Sequence, residues 1–334
     1  MKKLLAVVSL LIVFAFILTA CNGNNNPGAS ADSNPDTSAG SSTNDTLSNS
    51  SSNSPGNSSS NSPSPAPDNA GVFDTSKNIS ILAREDGSGT KTAFMELIDL
   101  KGKADPADVL IQTGTAGILT EVKGNPTAIA YESLGYVTND VKMLKVNGVE
   151  ATIANIKNGT YKISRPLSVV YKEATLDNDV NKAFYTFLQS NDAQEIISDE
   201  GYVSIVDGAP AYTVNGSLAG SIDISGSTSL QPLMTELAAA FEKLQPNISV
   251  TVGGGGSGTG YKNADEGVSE FGMISEEFSL EKAPSCTDYI VCKDGIAVIV
   301  HKDNPLDNIT MEQLKNIYDV EAGSNAITKW SDLS

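Results

Sequence analysis

The chain has 334 residues, of which 40 are acidic and 22 are Lys or Arg, so that its formal net charge is −18 at pH 7. This balance disfavours a nucleic-acid partner, because binding to a phosphate backbone depends on clustered basic side chains. It leaves room for a site that binds a small anion through backbone N–H groups. The chain has three cysteines and one histidine without metal-site spacing, so neither a metal nor a cofactor is expected.

The first 21 residues have the pattern of a secretory signal. Two lysines precede an apolar run over residues 4–18, and the segment LTAC ends at Cys21. The run is short for a membrane span, and a small residue before a cysteine is typical of lipoprotein processing. We therefore expect Cys21 to be lipidated, with palmitate as an acyl chain, and the protein to be anchored at the extracytoplasmic face of the cell membrane. Residues 22–70, rich in Ser, Asn, Pro and Gly, are expected to form a disordered tether.

From residue 79 onward, short strand patterns alternate with helix patterns, which predicts an α/β fold. Strands are predicted at 79–83, 109–113, 128–131, 143–146, 161–163, 167–171, 221–225, 248–252, 271–274 and 295–300, and the segment 202–205 closes the first half. Helices are predicted at 91–100, 114–122, 180–188, 193–199, 230–244 and 311–318, with Thr310 as the cap of the last one. Residues 207–220 form a polar connector with little periodicity.

A strand, a turn of small residues and a helix follow one another at three places. The turns read REDGSGT at 84–90, GSTS at 226–229 and GGGGSGTG at 253–260. Unpaired N–H groups at a helix start, hydroxyl donors and the Arg84 guanidinium are together the components of an oxyanion site. One such turn is equally typical of an ordinary capped helix. Three of them can converge on a single tetrahedral anion.

Taken together, the motifs resemble those of the PstS family, the phosphate-binding lipoproteins of ABC-type phosphate importers. The matching segments are RxxGSGT at 84–90, SRPL at 164–167, GSTSLQPL at 226–233, GGGSGTG at 254–260, DGIAVIV at 294–300 and ITKW at 327–330. The resemblance implies a periplasmic-binding-protein-like (type II) two-lobed α/β fold without enzymatic activity. It also implies that inorganic phosphate is captured between the lobes and delivered to the membrane permease of an importer.

The two halves stand in exchanged order relative to this family. Residues 71–206 resemble the C-terminal half of a phosphate-binding protein, and residues 221–334 resemble the N-terminal half. We expect a circularly permuted fold in which 207–220 joins the usual termini. The alternative is a piece of a tandem array, with chains that pair by swapping. In the permuted arrangement, 131–206 is expected to share a lobe with 221–300, and 79–130 with 301–334.

The resemblance also implies which residues contact phosphate. The contacts fall on Arg84, Ser88, Gly89, Thr90, Thr228 and Ser257, with Ser229 and Gly258 close enough to contribute. Ser275 aligns with the position where some members have a carboxylate that accepts the proton of hydrogen phosphate. Glu276 stands where other members have an arginine. Its side chain is expected either to face solvent, which we favour, or to accept the proton of hydrogen phosphate.

Other functions remain open from the residues alone. A surface phosphate sensor or an interaction protein with an altered site is the main alternative, because of the exchanged halves and Glu276. A nucleotide enzyme is disfavoured, since Tyr261 follows Gly260 where a P-loop has Lys. Cys286 and Cys292 are six residues apart, and they form either a disulfide across a turn or two free thiols.

Overall fold

The computed structural model describes residues 73–333. The predicted signal segment 1–21, with Cys21, and the predicted tether 22–70 lie outside the described residues. None of the helices within 73–333 combines the length and the hydropathy that a bilayer span requires.

The backbone of the described residues forms eleven strands and eight α-helices. The strands are β1 Ser80–Arg84, β2 Leu110–Gln112, β3 Ala128–Ser133, β4 Val141–Met143, β5 Lys145–Val146, β6 Ser164–Tyr171, β7 Gly220–Gly226, β8 Ile248–Gly255, β9 Phe271–Ile274, β10 Thr287–His301 and β11 Asn308–Ile309. The helices are α1 Gly89–Leu97, α2 Gly114–Gly124, α3 Ile153–Lys157, α4 Asp179–Leu188, α5 Asn191–Asp199, α6 Gln231–Leu244, α7 Ser257–Glu266 and α8 Met311–Tyr318. This alternation confirms the α/β prediction.

Nine of these strands form one sheet within residues 73–333. Its order is β2-β1-β3-β10-β6-β9-β7-β8, with β4 beside β10, while β5 and β11 pair separately. β1 is parallel to β2 and β3, and β7 is parallel to β8 and β9. The long strand β10 joins these two parallel blocks. Its first part pairs with β6, and its last part pairs with β3 and β4.

Each block of the sheet has its own hydrophobic core. Residues 73–163 and 296–333, here called lobe 1, pack around the stacked rings of Phe94 and Tyr131, whose centroids lie 3.9 Å apart. Residues 164–295, called lobe 2, pack around a cluster that includes Phe184, Phe241 and Phe271. The chain therefore passes between the lobes where β6 begins and again within β10.

The lobe assignment corrects one expectation from the sequence. Residues 131–163 and 296–300 were expected in the same lobe as 221–295, but Val141, Ile163 and Val298 are buried in the core of lobe 1. The reason is strand pairing, because β3 lies between β1 and the last part of β10, and β4 pairs with the same part of β10 on its other side. A pattern of apolar residues does not specify which strand will be the neighbour.

Some predicted strands also differ from the structure. Residues 161–163 form a loop in which Tyr161 and Ile163 are buried, and the strand begins at Ser164. The segment 202–205, for which no strand was predicted, forms a single bridge between Val203 and Lys293. The strand predicted at 295–300 is longer, from Thr287 to His301, since it crosses both lobes. The predicted cap of α8 is confirmed: Thr310 and Gln313 form a capping box.

The first and last described segments run side by side. Asn78 and Lys329 form an antiparallel bridge, and the Ile79 N–H donates to the Thr328 carbonyl at 2.8 Å. The Trp330 N–H donates to the Lys77 carbonyl at 3.2 Å. The two ends of the described chain are thus held together in lobe 1.

Candidate anion site

The three Gly/Ser/Thr turns meet between the lobes. They follow the carboxyl ends of β1, β7 and β8, the edge where open α/β sheets place ligands. Arg84 Nη2 donates to Thr228 Oγ1 at 2.9 Å, and the hydroxyls of Thr90 and Ser229 are 2.8 Å apart. The tertiary structure therefore brings together turns that are about 140 residues apart in the chain.

Lobe 1 contributes the turn between β1 and α1. Ser88 is the N-cap of α1 and accepts a hydrogen bond from the Lys91 N–H, so the first N–H groups of the helix remain directed out of its end. Gly87 has φ of 84°, which favours glycine. Arg84, Ser88 and Thr90 are all at most 2% exposed. The turn is thus a buried set of donors with one cation.

Lobe 2 contributes the turns before α6 and α7. The Gly258 N–H donates to the Gly87 carbonyl at 3.0 Å, which joins the lobes backbone to backbone. Ser257 Oγ accepts from the Ser275 N–H at 3.0 Å and lies 3.3 Å from Ser275 Oγ. A Cβ at Gly89 would lie 2.3 Å from Ser257 Oγ, so only glycine permits this approach of the lobes.

All nine residues expected at the site are therefore in one place. Ser88 caps α1 beside Gly89. The other eight are joined across the cleft by hydrogen bonds or by close approach: Arg84, Gly89, Thr90, Thr228, Ser229, Ser257, Gly258 and Ser275. The arrangement supplies hydroxyl and N–H donors from both lobes around one guanidinium, which is the donor set for a tetrahedral oxyanion.

Arg84 also has partners that the sequence reasoning missed. Its Nε and Nη2 donate to the two oxygens of Glu85 at 2.9 and 3.1 Å, and Nη1 donates to Thr115 Oγ1 at 3.3 Å. Nη1 is 3.6 Å from Glu132 Oε2. Although burial raises the pKa of Glu85, its hydrogen bond with Arg84 lowers that pKa overall. The available signal for Glu132 was a charged residue directly after the apolar run 128–131.

A second arginine lies behind the site. Arg165 is 3% exposed, and its Nη1 donates to the Ser275 carbonyl at 3.0 Å. Its Nη2 donates to Asp294 Oδ2 at 3.0 Å. Burial raises the pKa of Asp294, against the opposing effect of Arg165. Arg165 thus supports the Ser275 backbone, and its positive charge is offset by the carboxylate of Asp294.

The position of Glu276 corrects the favoured expectation that it faces solvent. Its side chain is 5% exposed. Both of its carboxylate oxygens accept hydrogen bonds from Lys282 Nζ, at 2.9 and 2.8 Å. A buried carboxylate is stable when it is paired in this way. Both oxygens of Glu276 are thus engaged by Lys282.

Cys286 and Cys292 are both free thiols. Only five residues lie between them, and β10 begins at Thr287, so the intervening chain is extended and contains no turn that could bring the two together. Burial raises the pKa of each thiol. Within residues 73–333, no group of three or more His, Cys, Asp or Glu side chains is arranged to hold a metal ion.

Two lobes around a cleft lined with hydroxyl and N–H donors define the chain as a solute-binding protein, and comparison with known proteins agrees. Residues 68–192 and 213–334 match a family model described as the PBP superfamily domain. "Phosphate-binding protein PstS 2" from Streptococcus agalactiae is 35% identical over 265 residues, which cover 77% of this chain and 88% of that protein. The chain belongs to the PstS family of this superfamily.

Two further relatives refine the comparison. The crystal structure of a phosphate-binding protein of a Streptococcus pneumoniae TIGR4 phosphate ABC transporter is 31% identical, with a TM-score of 0.62, and the match covers 77% of this chain and 100% of that one. The Bacillus subtilis "Phosphate-binding protein PstS" is 34% identical over 143 residues, which cover 42% of this chain and 46% of that protein. The two-lobed fold and the absence of enzymatic activity predicted from the sequence are both confirmed by this family membership.

Proposed function

We propose that the protein captures inorganic phosphate between its two lobes and delivers it to the membrane permease of an ABC-type importer. The observation that carries this proposal is the meeting of three Gly/Ser/Thr turns, from both lobes, around the buried Arg84. Relatives from streptococci with more than 30% identity are named phosphate-binding proteins, which supports the same ligand.

Each lobe contributes different donors to the phosphate. Arg84, Ser88, Gly89 and Thr90 belong to lobe 1, and they supply the cation and the N–H groups at the start of α1. Lobe 2 supplies the hydroxyls of Thr228, Ser229, Ser257 and Ser275, and the N–H of Gly258 joins it to Gly87 of lobe 1. Because a tetrahedral anion has four oxygens, it accepts hydrogen bonds from both lobes at once. Ligand contacts that exist only when the lobes are together favour the closed form.

The exchanged order of the halves is proposed to be a circular permutation in one complete site-forming chain. Turns from both 71–206 and 221–334 meet in the same chain, which disfavours a fragment that needs a second module. The S. agalactiae relative aligns with most of this chain, whereas the B. subtilis relative aligns with less than half of it. A relative whose two halves stand in the opposite order would align over only one half at a time, which fits the shorter match. The backbone pairing of Ile79 with Thr328 in lobe 1 supports the same proposal, because in the family's order the segment resembling 221–334 would continue there into the segment that begins near Ile79.

The connector also fits this proposal. It follows lobe 2 closely, since the Tyr212 N–H donates to Asp192 Oδ2 at 2.7 Å and the Asn191 N–H donates to the Pro210 carbonyl at 2.9 Å. A short connector packed against one lobe can join two chain termini that lie close together. Residues 207–220 are thus proposed as the covalent join between the exchanged halves.

Lipid attachment is proposed for Cys21, with residues 22–70 as a tether at the extracytoplasmic face of the membrane. The support for this is the lysine–apolar–LTAC pattern of the sequence. A lipid on Cys21 would keep the binding unit within reach of the permease, because a flexible tether raises the local concentration of the unit it holds.

Calorimetric titration of the full chain, purified in detergent as a monomer, tests the binding proposal. We expect one phosphate per chain, and weaker binding or none with sulfate. Thr228→Val removes one hydroxyl that faces Arg84 and is expected to weaken phosphate binding by roughly 10- to 100-fold, the effect of losing a hydrogen bond to a charged group. The matched control is Thr235→Val, since that hydroxyl is exposed and bonds only within α6.

A folded monomer that binds no phosphate would contradict the proposed function. Binding that is equally weakened by Thr228→Val and Thr235→Val would contradict the proposed position of the site. Two chains required for each bound phosphate would favour the swapped assembly over a complete permuted unit.

A further inference from the structure

Glu132 is a buried carboxyl group at the edge of the anion site, near the end of β3. Its side chain is 0% exposed. Oε1 accepts a hydrogen bond of 2.8 Å from the Ser133 N–H. Oε2 forms no hydrogen bond with any donor among residues 73–333, and its ionic contact is with Arg84 Nη1 at 3.6 Å. A buried carboxylate with one oxygen unsatisfied is unfavourable in its charged form.

Arg84 already forms an ion pair with a second carboxylate, that of Glu85. Glu85 accepts two hydrogen bonds from the guanidinium, and Thr115 and Thr228 accept two more. With Glu85 and Glu132 both ionised, the cation is outnumbered by two carboxylates before any ligand arrives. An entering oxyanion adds more negative charge to the same buried place, where like charges repel more strongly than in water.

Within residues 73–333, the charged and titratable groups near Glu132 other than Arg84 do not supply a free positive charge. Arg165 from β6 is hydrogen-bonded to Asp294 from β10, so these two groups offset each other. Tyr131 on the same strand and Tyr136 in the turn that follows have pKa values raised chiefly by burial, so they stay uncharged. Burial also raises the pKa of Glu132, although Arg84 and Arg165 act to lower it.

We propose that phosphate capture takes up one proton at Glu132, so that this carboxyl group is neutral in the complex and the affinity for phosphate falls as the pH rises. The inference rests on the proposed function. A solvent proton forms an O–H bond with a lone pair of the Glu132 carboxylate, and no bond of the ligand breaks. Removal of this charge leaves Arg84 with one carboxylate partner, Glu85, and with the oxyanion.

The test compares wild type with Glu132→Gln, whose side chain is neutral at every pH and has nearly the same shape. Phosphate is titrated into the full chain in detergent from about pH 6 to about pH 8, in pairs of buffers with different ionisation enthalpies, which gives the number of protons taken up per phosphate. The ionisation of phosphate itself is common to both proteins, so their difference reports on Glu132. Glu96→Gln, on the exposed side of α1, is the matched control and should behave as wild type.

We expect wild type to take up more protons than Glu132→Gln, by up to about one per phosphate, and Glu132→Gln to bind phosphate roughly tenfold more tightly at about pH 8. The two affinities should converge toward acid pH. Equal proton uptake, or an affinity ratio that does not change with pH, would overturn the inference. Wild type that binds no phosphate would instead overturn the proposed function.

A second measurement needs no variant and remains decisive if Glu132→Gln does not fold. Infrared difference spectra of wild type, recorded with and without phosphate, should show the C=O stretch of a protonated carboxyl group appearing on binding. If phosphate binds and no such band appears, the inference is wrong.

Discussion

The substitution Gly89→Ala adds one methyl group and is expected to weaken phosphate binding without lowering the stability of either lobe. Gly89 is the first residue of α1 in lobe 1. An alanine Cβ there would stand 2.3 Å from Ser257 Oγ and 2.7 Å from Ser275 Oγ, both in lobe 2. Because non-bonded atoms are in favourable contact near roughly 3.5 Å, the lobes would have to move apart by roughly 1 Å.

The magnitude follows from the contacts that such a movement breaks. Arg84 Nη2 to Thr228 Oγ1, at 2.9 Å, and Gly258 N to Gly87 O, at 3.0 Å, would both exceed hydrogen-bond length. Loss of one charge-assisted and one neutral hydrogen bond amounts to about 2–4 kcal/mol. Phosphate affinity should therefore fall by roughly 30- to 1,000-fold.

The folding of each lobe should not suffer from Gly89→Ala. Alanine is more favourable than glycine in a helix by about 0.5–1 kcal/mol, and the clash lies between the lobes and not within either core. Calorimetry with phosphate measures the affinity, and thermal unfolding without ligand measures the stability. Gly124→Ala is the control, since a Cβ there meets nothing within 4 Å. Phosphate binding by Gly89→Ala within about twofold of wild type would refute the role of close lobe approach.

Three further predictions concern stability, pH and location. Phe94→Ala removes the ring stacked on Tyr131 at 3.9 Å in the core of lobe 1, and should lower the free energy of unfolding by about 3–5 kcal/mol in urea denaturation; an unchanged midpoint would contradict this core assignment. Because burial raises the pKa of Glu132 above its ordinary value of 4.5, the folded state binds the proton more tightly than the unfolded state, and the stability that this carboxyl contributes is lost as pH rises through its folded pKa. Ligand-free Glu132→Gln should accordingly exceed wild type in stability at neutral pH by about 1.4 kcal/mol per unit of pKa shift, and the gap should close as pH falls toward the unfolded value; a gap that is independent of pH would refute this sign. Cys21→Ser should abolish incorporation of labelled palmitate and release the protein from the membrane fraction on cell fractionation, and retention in that fraction would argue against a lipid anchor.

The position of the site could be predicted from local sequence because its parts are local. Arg84 and the segment 87–90 follow a strand and open a helix, and backbone geometry at that junction directs N–H groups and hydroxyls outward whatever the rest of the chain does. The segments 226–229 and 253–260 also lie between a strand and a helix, so their N–H groups and hydroxyls could be predicted in the same way. Each turn was recognisable alone, and their shared chemistry suggested one ligand.

Partner choice could not be predicted in the same way. Glu276 was expected to face solvent because a lone acidic residue usually does, but Lys282, six residues later, reaches both of its oxygens. Glu132 was not recognised at all. Its importance depends on Arg84, which is brought to it by the pairing of β1 with β3.

The sequence by itself determined the α/β alternation, the three small-residue turns and the donor chemistry, because these depend on residues within about one strand and helix of each other. Only the tertiary structure decided which lobe holds residues 131–163, how closely Gly89 approaches Ser257, and which carboxylates surround Arg84. These outcomes depend on strand order and on contacts between residues far apart in the chain. Burial then sets the electrostatic strength of each contact, and burial is a property of the packed molecule that no single segment contains.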